Sequence, residues 1–85
     1  MAYQVAIKPS AKRGLDALPM PVRSRAARAI DALASEPRPR GCKKLRGRDN
    51  LYRVRVGTYR IVYEVDDGAA LVRVRSVGHR SDVYR

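Results

Sequence analysis

Residues 52–63 read YRVRVGTYRIVY, arginine and apolar side chains alternating on either side of Gly57-Thr58. Alternation with a period of two marks a strand with one buried face. The Gly-Thr pair predicts a tight turn, so the stretch is a hairpin with strands over about 51–57 and 59–66. Val54 and Val56 fall on one parity and Arg53 and Arg55 on the other. In the second strand Ile61, Tyr63 and Val65 take the core parity, which leaves Arg60, Val62 and Glu64 on the open side. Guanidinium groups lined up this way repel one another, so the pattern asks for a reason beyond solubility.

Downstream, DDG at 66–68 predicts another turn, leading into a strand over about 70–77. Val72 and Val74 face the core there, and Arg73 and Arg75 the open side. RVRVGTYR (53–60) and RVRSVGHR (73–80) echo each other, so two strands present arginine on the same side. The open face therefore collects Arg53, Arg55, Arg60, Arg73 and Arg75, with His79, Arg80 and Tyr84 just beyond. Charged alternation usually ends as a solvated strand face. Five arginines with only Glu64 to pair with them point instead to an anion held on that face. Tyr52, Tyr59 and Tyr63 belong to the core or its rim.

Upstream, AYQVAI (2–7) alternates as a first strand, with Tyr3, Val5 and Ile7 on one side. Pro9 stops it, and Ser10 is placed to cap a short helix that runs to about Leu18. Ala11, Leu15 and Leu18 share one face of that helix. Gly14 weakens it by ~1 kcal/mol relative to Ala, so the helix depends on tertiary packing. PMP at 19–21 breaks the chain, and Pro21 suits the first turn of a second helix. Val22, Ala26, Ile30 and Leu33 stack at helical spacing until EPRPRG ends the helix near Ser35. Residues 36–50 are rich in Pro, Gly and basic side chains, Lys43, Lys44 and Arg46 among them, and predict an extended connection. The order β-α-α-β-β-β gives an α+β fold: a small antiparallel sheet with an N-terminal strand and a helical hairpin packed on one face.

At 85 residues this is a single domain, 1–85. A chain this size buries only ~60–65% of its unfolded surface, so its core is thin. One cysteine, Cys42, excludes an intramolecular disulfide, and with one histidine in the chain neither a metal nor a cofactor is expected. MAYQVAIKPSAKR has no apolar run long enough for a signal peptide and nothing approaches a membrane span, so a soluble cytoplasmic protein is expected. The formal charge is +11, with 15 arginines among the 19 basic residues. Such a surplus draws in polyanions, and arginine grips phosphate with two parallel hydrogen bonds. Nucleic acid or an acidic protein partner follows. A membrane-surface protein does not, because no helix carries a Trp/Phe/Leu face.

YRVRVGTYRIVYEVDD, followed by VRVRSVGHRSDVYR and preceded by PRPRGCKKLRG, resembles the RelE/ParE superfamily of bacterial and archaeal toxins. More narrowly the chain is similar to the RelE branch, over nearly its whole length. The resemblance implies a microbial-ribonuclease-like α+β fold and a toxin that enters the ribosomal A site and cuts mRNA. It also implies attack by the 2′-hydroxyl on the adjacent phosphate, without a metal. That chemistry needs a base near the hydroxyl, cations on the phosphate and an acid for the leaving oxygen.

By the same resemblance, Arg53 and Arg55 stand where the family carries basic residues, often lysines. Arg60 stands on its phosphate-stabilising arginine, Arg80 on its second arginine, and Tyr84 on its substrate-facing tyrosine. His79 takes a position held elsewhere by lysine or histidine. Arginine hardly ever loses a proton, so proton transfer is expected of Tyr84 or His79, and charge stabilisation of Arg60 and Arg80. Arg53, Arg55, Arg73, Arg75, Lys43, Lys44 and Arg46 are expected to bind RNA. The family further implies an antitoxin with an acidic or amphipathic toxin-binding segment, besides mRNA and the ribosome. The alternatives are a ParE-like inhibitor of DNA gyrase, a non-catalytic basic RNA- or ribosome-binding module, and a toxin that has lost activity but still binds its antitoxin.

Overall fold

The computed structural model describes residues 2–47 and 50–79. The chain runs β1 (Gln4–Ile7), α1 (Pro9–Asp16), α2 (Val22–Ala32), β2 (Lys43–Lys44), β3 (Leu51–Val56), β4 (Tyr59–Asp66) and β5 (Leu71–His79). The strands form one sheet in the order β1-β5-β4-β3-β2. β1 lies parallel to β5 and every other neighbour is antiparallel. The α+β class and the helical hairpin on one face are as the sequence predicts. Two details differ. The N-terminal strand makes the sheet mixed, and the supposed connection 36–50 contributes a two-residue strand that no periodicity could signal.

The β3–β4 turn follows the reading of the opening stretch. Gly57 has φ +61 at the first central position, the place type II′ turns reserve for glycine. Helix α1 starts one residue before the expected cap: Pro9 opens it, and Lys8 is the N-cap without a side-chain bond. Proline suits that position because its missing N–H is one that a helix start leaves unpaired anyway. The Lys8 amide donates to the Val74 carbonyl at 2.9 Å, so β1 turns into α1 at the last rung of its ladder.

The core lies between the helices and the sheet. Ala11, Leu15 and Leu18 from the α1 side meet Ala26, Ile30 and Leu33 from the α2 side, over Ile61, Tyr63, Val65, Val72 and Val74. Helix α1 rests on β5, and Gly14 is the point of closest approach. A Cβ there would collide with the Val77 backbone carbonyl, so glycine is required by packing although it weakens the helix. Tyr63 is fully buried, and its hydroxyl donates to the Pro37 carbonyl at 2.8 Å. Burial pushes the Tyr63 phenol well above its ordinary range.

Candidate nucleic-acid interface

The register lays the open face out in rungs. Nearest the hairpin turn, Arg55 pairs with Arg60, and Arg60 with Gly78. The middle rung runs Lys43, Arg53, Val62, Ser76. At the far end Glu64 pairs with Arg73, and Arg73 with Ala6. Directly opposed residues on one face stand ~4.5–5.5 Å apart at Cβ, and like charges there are destabilising. Lys43–Arg53 and Arg55–Arg60 are two such pairs side by side. Gly78 adds no side chain beside Arg60, which leaves room on that flank.

The row is not uniformly exposed, which corrects the expectation that all five arginines lie open on that face. Arg53 is only 6% exposed. None of its nitrogens is sealed off without a partner. Arg55 and Arg73 are exposed; Arg60 and Arg75 are half-buried. Around Arg53 the surface forms a depression of about 430 Å³, lined by Arg40, Gly41, Lys43 and Arg55. Arg40 was not among the expected binding residues. It comes from the non-periodic PRPRG stretch, where nothing in the sequence says which face a side chain joins.

At the other end of the face a bulge interrupts β5. Val62 pairs with Ser76 but Tyr63 with Val74, so Arg75 is the extra residue. The slip lets Val74 and Val77 both enter the core, three residues apart, and swings Arg75 towards Glu64 at 3.4 Å. Asn50 Nδ2 also donates to Glu64, at 3.4 Å.

Other expected site residues are separated from the row. His79 pairs with Tyr59 and so shares the helix-side parity; its ring meets the Tyr59 ring edge-on at 5.8 Å. It does not stand beside Arg60 on the open face. Lys44 pairs with Tyr52 and likewise takes the opposite side from Arg53. Arg46 sits exposed in the turn after β2. Arg80 and Tyr84 lie outside the described residues.

On the helix side a separate polar network pins the segment after α2. Arg38 holds the Asp67 carboxylate at 2.8 and 3.3 Å and donates through Nε to the Tyr52 hydroxyl at 3.1 Å. Its guanidinium also lies 5.2 Å from the Tyr52 ring centroid. Tyr3 donates to Asp67 at 2.6 Å, tying in the residue before β1. The Arg38 bonds hold the Asp67 carboxyl below its usual range, and the Asp67 bond raises the Tyr3 phenol. Sequence distance hid this network, since its members span residues 3 to 67.

Comparison with known proteins bears on the family and the fold. The family model described as the ParE toxin of the type II toxin–antitoxin system parDE matches residues 5–84. Toxin RelG of Mycobacterium tuberculosis is 34% identical over 100% of this chain and 99% of its own length. The RelE–RelB complex of Pyrococcus horikoshii superposes with a TM-score of 0.83 at 31% identity, over 96% of this chain and 99% of that one. The isolated Escherichia coli RelE toxin gives 0.80 at 32% identity, over 98% and 92% respectively.

Proposed function

Because the chain belongs to the RelE/ParE superfamily of type II toxin–antitoxin toxins, we propose that it is a RelE-like, ribosome-dependent endoribonuclease that cleaves mRNA in the A site. The observation that carries this reading is the pair of like-charged rungs, Lys43–Arg53 and Arg55–Arg60, on one sheet face. A fold tolerates such opposition when a polyanion relieves it, and an RNA backbone supplies one negative charge per nucleotide.

The reaction proposed is attack of a ribose 2′-hydroxyl on its own 3′-phosphate, expelling the 5′-oxygen of the next nucleotide. Phosphoryl charge rises in the transition state, and cations already in place cost no reorganisation then. Arg60 faces Arg55 across the ladder and is assigned that role, and Arg80, outside the described residues, is assigned the same role by the family resemblance. Arg53 and Arg55 bind the flanking backbone, since arginine is too weak an acid to serve as a base. Tyr84 is assigned the proton, ahead of His79, because His79 takes the Tyr59 side of the sheet. The reaction as drawn calls for no metal.

Solved relatives include toxin–antitoxin complexes such as the Pyrococcus horikoshii RelE–RelB pair, which supports a cognate antitoxin as partner here. Its toxin-binding segment is proposed to be acidic or amphipathic, matched to the +11 charge.

A second reading, inhibition of DNA gyrase, is favoured only by the ParE name of the matching family model. One assay separates the two. The chain is expressed in a translation extract and mRNA 5′ ends are mapped by primer extension, beside Arg60→Ala and Arg80→Ala. Codon-phased cuts that disappear in the variants are expected. Intact mRNA with accumulated gyrase–DNA cleavage complexes would overturn the ribonuclease in favour of the gyrase poison.

A further inference from the structure

The far end of the open face carries a feature that phosphate binding does not use. Where β1, β5 and β4 meet, a hollow of about 280 Å³ opens beside Ala6 and Ile7, rimmed by Lys8, Arg73, Arg75 and Glu64. Ala6 pairs with Arg73 and so lies on the open face, whereas Ile7, 37% exposed, pairs with Val74 and takes the helix-side parity. The hollow is large enough for one nucleobase and lies on the same face as the arginine rungs. Glu64 and Arg60 are four residues apart on β4, ~13 Å at strand rise, a span a few nucleotides cover.

Glu64 is the unexpected member. A carboxylate within a face built to hold phosphate opposes that binding. Its side chain is only 19% exposed, and its contacts to Arg75 and Asn50 are both 3.4 Å, at the long limit of hydrogen bonding. Acceptor capacity therefore remains, on a group that can only accept. Asp66, further along the same strand, is instead committed to its turn, accepting from the Ala69 amide at 3.1 Å.

Resting on the RNA-cleavage reading above, we infer that this hollow is a base-reading subsite for single-stranded RNA beside the cleavage centre. Ala6 and the stem of Arg73 supply the apolar wall for a base, Lys8 and the Arg73 guanidinium hold its phosphate, and Glu64 accepts from an exocyclic amino group. Cytosine and uracil have the same shape but swap an amino donor for a carbonyl acceptor at C4. Glu64 therefore favours cytosine and rejects uracil, whose C4 oxygen would face the carboxylate.

The test is fluorescence anisotropy of the full chain with labelled oligo(C) and oligo(U) of equal length, at one salt concentration. Equal length cancels the backbone charge, which sets most of the affinity. Wild type is expected to bind oligo(C) on the order of fivefold more tightly, as a base-edge contact allows. Glu64→Gln should raise affinity for both by removing a negative charge and bring the ratio to one, because an amide both donates and accepts. Arg73→Ala should weaken both and keep the preference. A wild-type ratio of one, or a ratio that survives in Glu64→Gln, overturns the subsite. Occupation of the hollow by an acidic protein segment in place of RNA would give that same ratio of one. Phased mRNA cutting with a ratio of one would leave the ribonuclease standing and remove the subsite. A C/U preference without cutting would do the reverse.

Discussion

Arginine meets this sheet in two opposite ways. On the helix side, Arg38 is surrounded by partners: the Asp67 carboxylate, the Tyr52 hydroxyl and the Tyr52 ring. On the open side, Arg55 stands opposite Arg60 and Arg53 opposite Lys43, cation facing cation. The same side chain closes a structural strap in one place and is held against repulsion in the other. Arg38 belongs to the fold through its bonds to Asp67 and Tyr52, whereas the proposed RNA site draws on cations that face one another across the ladder.

Substitution should therefore give opposite signatures in the two regions. The largest effect is expected at Arg60→Ala, with cleavage in the extract falling ~10²–10³-fold while circular dichroism stays native, the scale on which a lost transition-state donor acts. Arg38→Ala should do the reverse, lowering the melting temperature by a few degrees and sparing cleavage. If Arg38→Ala abolished cutting at an unchanged melting temperature, the division into two regions would fail.

Gly14→Ala isolates packing from both. Helix propensity gains ~1 kcal/mol, but the new methyl must push α1 off the Val77 carbonyl, an overpacking that costs ~1–3 kcal/mol or more. Net destabilisation is expected in urea unfolding, and a rise in stability would show that α1 sits further from β5.

The strap also predicts a pH signature. Asp67 titrates below its ordinary value of 3.8 in the folded chain, chiefly through its Arg38 bonds. The stability it contributes is thus complete above about pH 4 and lost as pH falls through the depressed folded value. The melting-temperature gap between wild type and Asp67→Asn should be widest near neutral pH and close in acid. A gap independent of pH would remove the ion pair from the strap.

How much of this was legible follows from where period two holds. Ile61, Tyr63 and Val65 announce their burial by shared parity along β4, although Val62 between them is buried as well from the open face, and the Gly57 turn is written into the sequence. Strict alternation fails at Arg75, where the bulge resets the parity and lets Val77 rejoin the core. The burial of Arg53 and the recruitment of Arg40 depend on neighbours packed from distant segments, and so does the strap joining Tyr3, Arg38 and Asp67. Composition leads only to the expectation of a polyanion partner, while the register shows that cations oppose one another and that His79 takes the other side from Arg60.

The smallest expected effect tests the comparison most directly. Arg55 is exposed and opposes Arg60, so Arg55→Gln removes one half of a like-charge pair. Relief of ~0.2–1 kcal/mol should raise the melting temperature of the free chain by ~1–8 °C at low salt. The same change should reduce the stabilisation conferred by a single-stranded RNA oligonucleotide, with the slope of log affinity on log salt shrinking by ~0.7. Melting wild type and Arg55→Gln with and without the oligonucleotide reads both. A variant more stable alone and less stabilised by RNA is the predicted result; a variant less stable alone, with RNA stabilisation unchanged, would contradict the account.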